Sequence, residues 1–293
     1  MKHDYIIGLG EVLWDMLPEG RKIGGAPANF AWHMAQFGYD ARAVSAIGRD
    51  ADGEEILRNF TERGLQAELA RVDYPTGRVE VTLDGEGIPQ YNILTGVAWD
   101  HIPFTEGLRQ LAREARCICF GSLAQRSAES RRTIAAFLDE APKEALRIFD
   151  INLRQNFYDR EVVTESFRRC NILKINNEEA LVVSDMLGMG TRDIREVAER
   201  LRRDYGLQAT ILTCGSRGSQ VFYEGGVSDL ATPKVRVADT VGAGDSFTAG
   251  FCAALLHGCD VATAHARAVA VSAYVCTCEG ATPRLPEELL RFD

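Results

Sequence analysis

The stretch Val237-Ala238-Asp239-Thr240-Val241-Gly242-Ala243-Gly244-Asp245-Ser246-Phe247 constrains this chain more than any other. Two glycines sit in a turn flanked by acids, and the turn runs into a helical pattern of Phe247, Phe251, Ala254 and Leu255 that Gly258 closes. The first N–H groups of a helix lack intrahelical partners, and glycine at its mouth lets an anion approach the main chain with no Cβ in the way. Such a place suits a phosphate. Asp245 then has two readings: a first-turn acid complementing the helix dipole, or a group that acts on the anion's reaction partner. From these residues alone the two readings stand level.

The rest of the chain supplies a scaffold for that turn. Tyr5 to Gly10, Ala43 to Gly48, Arg116 to Gly121, Leu146 to Asp150, Asn171 to Asn176 and Ala209 to Thr213 are short apolar runs. Each reads as a buried strand, with helical patterns over Asp50 to Arg63, Ser127 to Leu138 and 261–278. This alternation predicts an α/β fold with a mostly parallel sheet. Two segments break it. Val12, Trp14 and Met16 alternate with Leu13, Asp15 and Leu17 before Pro18-Glu19-Gly20, and Val79 to Leu83 turns through Asp84-Gly85-Glu86-Gly87 toward Tyr91 to Leu94. Hairpins inserted among strand–helix units predict a separate small sheet.

Composition excludes several classes. A net charge of −9 disfavours general binding to nucleic acid or an anionic membrane surface. No apolar run approaches a membrane span of roughly 20 residues, and the opening Met1 to Gly8 lacks a signal-peptide layout, so a cytoplasmic protein is expected. Gly8-Leu9-Gly10 invites a dinucleotide fingerprint, but the third glycine would fall at Leu13, which argues against a nicotinamide-dependent oxidoreductase. No P-loop pattern occurs either. The eight cysteines include Cys117/Cys119 and Cys276/Cys278, whose spacing and lack of nearby histidines suit reduced thiols better than zinc.

Further polar residues mark candidate sites. Asp15 is an acid in an apolar alternating segment, which by itself favours a solvated edge. Ile23-Gly24-Gly25-Ala26-Pro27-Ala28-Asn29 leads into a helix of Phe30, Met34 and Phe37, with Pro27 in its first turn and Gly38 at its end. Asn152 and Arg154 lie just past a strand end, where open α/β sheets bind ligands, although a surface ion pair explains Arg154 equally well. Asn176 and Glu179, three residues apart, can form a capping pair. Thr213-Cys214-Gly215-Ser216-Arg217-Gly218 ends a β-branched strand in a glycine turn.

The two glycine motifs, about two hundred residues apart and in order, resemble the signatures of the ribokinase-like carbohydrate kinases, and the resemblance spans the chain. It implies a three-layer α/β/α core formed by residues 1–11, 24–73 and 99–293, with a β lid from 12–23 and 74–98. It implies that Asp245 is the general base and that Gly242, Ala243 and Gly244 form an anion hole for the phosphoryl group. Sugar hydroxyls would meet Asp15, Gly25 and Asn29, with Asn152 and Arg154 beside them. Nucleotide phosphates would meet Asn176, Thr213, Gly215 and Gly218. Glu179 would help hold Mg2+ through water, and Asp239 would border a K+ site. ATP is the implied co-substrate, and the lid offers a route to a homodimer. The wording Gly-Gly-Ala-Pro-Ala-Asn, Asp-x-Asn-x-Arg and Phe120-Gly-Ser-Leu-Ala124 is similar to the fructokinase-like branch, which favours D-fructose. Ribose, 2-keto-3-deoxygluconate, a nucleoside, or a sugar-binding regulator without turnover remain the other readings.

Overall fold

The computed structural model describes residues 4–17, 20–83 and 89–292. The strands are β1 (Tyr5–Leu9), β2 (Leu13–Leu17), β3 (Gly20–Gly24), β4 (Ala41–Gly48), β5 (Gln66–Val72), β6 (Gly77–Leu83), β7 (Pro89–Ile93), β8 (Ala115–Phe120), β9 (Leu146–Asp150), β10 (Ile172–Asn176), β11 (Ala209–Thr213), β12 (Ser219–Tyr223) and β13 (Gly226–Leu230). The helices are α1 (Ala26–Gln36), α2 (Ala51–Arg63), α3 (Glu106–Arg113), α4 (Ala128–Glu140), α5 (Arg160–Arg169), α6 (Asn177–Leu187), α7 (Ile194–Asp204), α8 (Ala243–His257), α9 (Val261–Val275) and α10 (Glu287–Leu290). Helix starts follow side-chain caps: Asp50, Ser127, Asp159 and Asp260 each accept a backbone N–H from the following turn. Helix α9 ends at Val275, three residues short of the sequence reading, where Thr277 and Cys278 turn back onto the carbonyls of Tyr274 and Val275.

Among the described residues, nine strands form one sheet in the order β13-β12-β11-β10-β9-β8-β1-β4-β5. It is parallel except at one edge, where β12 pairs antiparallel with both β11 and β13. Strand alternation splits its side chains between two helical layers. Ile7, Leu9, Ile118 and Phe120 pack toward α3 to α7, whereas Ile6, Cys117 and Cys119 pack toward α1, α8 and α9. The Cys117/Cys119 spacing is therefore buried-strand alternation, and all eight cysteines are free thiols. The alanines of α9 serve packing: Ala264 and Ala268 are fully buried, and a Cβ on Gly250 of α8 would lie 3.2 Å from the Cα of Ala268.

A second sheet of four strands has the order β3-β2-β6-β7. Both hairpins expected from the sequence are present as antiparallel pairs, β2 with β3 and β6 with β7. Pro18-Glu19 and the Asp84 to Gly87 turn lie outside the described residues. Strand β2 also pairs in parallel with β6, so it is internal. The edge reading of Asp15 is thereby corrected: two neighbouring strands, invisible in a local pattern, enclose it. Trp14 and Ile23 lie back on the α1/α2 side, and Asp15 faces the other way, directly opposite Lys22.

The end of this small sheet is anchored to the core by one buried ion pair. Arg126 donates to both oxygens of Asp100 at 2.8 and 2.9 Å and to the Leu94 carbonyl at 2.6 Å. Its guanidinium lies 3.8 Å over Trp99, and the Arg126 and Asp100 side chains are only 6% and 7% exposed. Removing one partner of a buried pair strands the other charge, whereas exposed pairs contribute little. Asp100→Ala should therefore cost about 3–5 kcal/mol by urea unfolding, while Glu68→Ala, which breaks the solvent-facing Arg42–Glu68 pair, should cost less than about 1 kcal/mol.

Candidate active site

The site is assembled where the C-terminal ends of β1, β9, β10 and β11 meet the start of α8. Gly242 holds φ 76 as the residue before α8, a left-handed conformation that costs glycine little. A Cβ there would also stand 2.5 Å from Ala281. The C-terminal segment is thus pressed against the turn, and it is tied there from several directions. Asp239 accepts N–H bonds from Val241 and Gly280, each at 3.0 Å, and His33, whose ring nitrogen is 2.9 Å from the Ala281 carbonyl, braces the segment from α1. These backbone donors outweigh burial and hold the Asp239 carboxyl below its ordinary range. Burial holds the His33 ring neutral, with its pKa down at about 4.

Of the three residues expected to form the anion hole, Ala243 directs its N–H back to the Thr240 carbonyl at 3.3 Å. Gly244 lies in the first turn of α8, where the N–H has no intrahelical acceptor. Asp245 follows it, half-buried, and accepts a hydrogen bond from Asn29 Nδ2 at 2.8 Å. That bond joins the two glycine motifs. Burial and the neighbouring Asp150 push the Asp245 pKa up to about 6, against the lowering pull of Asn29, Lys174 and Arg154. A carboxyl poised there can take a proton near neutral pH.

The sugar-side candidates surround this base. Gly25 opens α1 at φ 119, and a Cβ on it would lie 2.3 Å from the Glu11 carbonyl, so only glycine fits. Asp15 is half-buried, with its pKa raised to about 6 by burial, and Arg154 is close enough to oppose that shift. Asn152 sits at φ 46 and Gln155 at φ 49, the only non-glycine residues with positive φ among the described residues. Such backbone persists only where the surroundings impose it. Here it brings Arg154 within electrostatic reach of Asp15, Asp245 and Glu11.

The nucleotide-side candidates lie farther along the sheet. Asn176 and Thr213 are register partners at the ends of β10 and β11. Asn176 caps α6 by accepting from Glu178 and Glu179, and Glu179 returns a bond from Asn176 N at 2.9 Å, so the capping pair is real. The second oxygen of Glu179 accepts from Leu153 at 3.0 Å. Both Glu179 oxygens are thus engaged by backbone N–H groups, and among the described residues no group of three metal-binding side chains occurs. Each carboxylate oxygen of Asp239 likewise accepts one loop N–H, and a carboxylate so engaged keeps a further lone pair on each oxygen. Gly215 and Gly218 shape the turn after β11, where Cys214 N donates to Gly218 O at 2.9 Å.

The family model of the pfkB family carbohydrate kinases matches the chain over residues 19–288. The chain belongs to the pfkB family of carbohydrate kinases. Its members' shared chemistry makes it a phosphotransferase acting on a sugar hydroxyl. It is 28% identical to an ATP-dependent 6-phosphofructokinase of Thermoanaerobacterium thermosaccharolyticum, covering 98% of this chain and 92% of the relative. It is also 28% identical to a fructokinase of Klebsiella pneumoniae, over 85% of this chain and 84% of that one. A crystal structure of fructokinase with bound ATP from Xylella fastidiosa shares the fold, with a TM-score of 0.83, 22% identity, and coverage of 98% and 97%. The ribokinase-like α/β architecture expected from the sequence is therefore present.

Three site residues escaped the sequence reading. Lys174 and Asp150 are charged residues at register positions of two buried parallel strands, and a lone cation within Ile172-Leu-Lys-Ile175 was the available signal. Glu11 follows β1 directly, is 3% exposed, and leaves its Oε2 without a partner. Burial pushes its pKa up to about 7, with Asp245 adding to the rise. The folded protein thus holds this proton more tightly than the unfolded chain. The resulting stability is present below the ordinary carboxyl value of 4.5 and is lost as pH rises through about 7. Glu11→Gln should raise the melting temperature of the ligand-free protein at pH 8 and leave it unchanged near pH 4.5, with a small gain between. Equal shifts at both pH values would show that Glu11 ionises freely.

Proposed function

We propose that this kinase transfers the γ-phosphoryl group of ATP to a primary hydroxyl of a sugar, with D-fructose as acceptor and fructose 6-phosphate as product. The observation that carries the reading is the Asn29–Asp245 bond, which sets a half-buried carboxyl of raised pKa beside the glycine turn at the start of α8. In the reaction Asp245 takes the proton of the attacking hydroxyl, the sugar oxygen bonds to phosphorus, and the bond from phosphorus to the ADP oxygen breaks. The N–H groups at Gly242 and Gly244 receive the charge developing on the phosphoryl oxygens. Asp15, Gly25 and Asn29 hold the sugar, with Asn152 and Arg154 closing its far side. Asn176, Thr213, Gly215 and Gly218 line the nucleotide, which brings magnesium as part of the substrate, and Glu179 reaches that ion through water. The small sheet covers the sugar and keeps water from accepting the phosphoryl group. The absence of any helix long and apolar enough to cross a membrane, among the described residues, is compatible with work in the cytoplasm.

Fructose is favoured by the Gly-Gly-Ala-Pro-Ala-Asn and Asp-x-Asn-x-Arg wording and by the fructokinase among the relatives. The 6-phosphofructokinase relative supplies the specific competitor, fructose 6-phosphate as acceptor. ADP release should be measured with fructose, fructose 6-phosphate, ribose and 2-keto-3-deoxygluconate, for the wild type and Asp245→Asn. Turnover on fructose is expected, lowered about 100- to 10,000-fold in the variant with binding retained. Activity should fall on the acid side with a midpoint near 6, because the base must be ionised to act. Preference for another acceptor would remove fructose and keep the chemistry, and an undiminished variant would remove Asp245 as the base.

A further inference from the structure

Beneath the first turn of α8 lies a charge pair for which the fold offers no stability argument. Lys174 is the one lysine buried among the described residues, and it is the register partner of Asp150 on the adjoining strand. Each is 8% exposed, and Lys174 Nζ reaches both Asp150 oxygens, at 2.9 and 2.8 Å. Burial alone would lower the Lys174 pKa, but the attraction of Asp150 outweighs it and the net shift is upward. Strands buried on both faces are ordinarily apolar, and replacing a buried ion pair with apolar groups is often neutral or stabilising. Stability therefore gives no reason for charges here.

Their surroundings do. A Cβ built on Gly244 would stand 3.1 Å from Lys174 Nζ, so the ammonium lies directly under the anion-hole backbone. The Thr248 hydroxyl is 3.1 Å from Asp150 Oδ2 and 3.0 Å from the Gly244 carbonyl, which links the pair to the same turn. Charged and titratable groups face Asp245 from every neighbouring element: Glu11 after β1, Cys119 on β8, Asp150 on β9, Arg154 in the following loop and Lys174 on β10, with the Asn29 amide on α1. Within that set Asp150 raises the proton affinity of Asp245 and Lys174 lowers it, Asp150 more strongly.

We propose that the Lys174–Asp150 pair is a positioning device for phosphoryl transfer, in which Lys174 supports the Gly244 turn with positive charge and Asp150 keeps Asp245 an effective base. The proposal rests on the kinase reading above. Asp150→Asn, Lys174→Met and the double variant, made in the full chain, test it by three measurements: kcat and KM against pH, urea unfolding, and the carboxyl carbon NMR titration of Asp245.

The two single substitutions should move the acid limb in opposite directions, downward for Asp150→Asn and upward for Lys174→Met, and the Asp245 titration should follow. The double variant leaves no unpaired buried charge. It should unfold near the wild-type urea midpoint, with kcat down by about tenfold or more and the sugar KM nearly unchanged. Wild-type kcat in the double variant, or an Asp245 titration that moves in neither single variant, would reduce the pair to a structural contact. Where Lys174→Met alone does not fold, the double variant and Asp150→Asn decide the matter. A wild type silent on every sugar would sink the kinase reading, and the Asp245 titration would still report on the pair without any turnover.

Discussion

The 2.8 Å bond from Asn29 to Asp245 is the contact on which the functional architecture depends. It joins residues 216 positions apart, from the first helix and the eighth. Neither partner could hold the geometry alone. Asn29 is fixed because Gly25 permits α1 to begin against the backbone of Glu11, and Asp245 is fixed because Gly242 turns the chain into α8 against Ala281. Two glycines of positive φ, Gly25 and Gly242, thus bring two helix starts together over the C-terminal edge of one sheet, and the cleft between them is where open α/β sheets bind ligands.

Strand order then separates the two sets of candidate residues. The central strands run β11-β10-β9-β8-β1, with the anion-hole turn above β9 and β10. On the proposed reading the sugar-side candidates come from β2, the start of α1 and the loop after β9, and the nucleotide-side candidates from the ends of β10 and β11 and the turn after β11. In the proposed reaction the phosphoryl group crosses between these two sets at the start of α8. On that reading donor and acceptor approach the turn from opposite directions, as in-line transfer needs.

Much of this was legible in the sequence, and the limits have physical causes. Local periodicity revealed the strands and helices because each buries one face, and the glycine turns showed themselves because few other residues fit there. Asn176 and Glu179 read correctly as a capping pair because a cap is a local interaction spanning three residues. The local pattern around Asp15 favours a sheet edge, and only the family resemblance sets that preference aside, because its second neighbour, β6, arrives from about sixty residues away. Lys174 and Asp150 were overlooked for the same reason: a charged residue in an apolar strand declares itself only when its partner on the next strand is known. The end of α9 was overrun because Thr277 and Cys278 continue as helix-like turns.

The charge balance of the cleft explains how a site rich in acids can receive a polyanion. Among Glu11, Asp15 and Asp245, burial raises the proton affinity of each, most for Glu11, whose pKa of about 7 leaves it partly neutral near physiological pH and lightens the negative charge of the cleft. On the phosphate side the charge is offset: Asp150 is matched by Lys174, Asp239 by backbone N–H groups, and Glu179 by two more. The unspent donors are those at the start of α8, where the helix dipole also favours negative charge. Acids of raised proton affinity beside the hydroxyl and compensated acids beside the phosphate are the division of labour that deprotonation next to phosphoryl transfer requires.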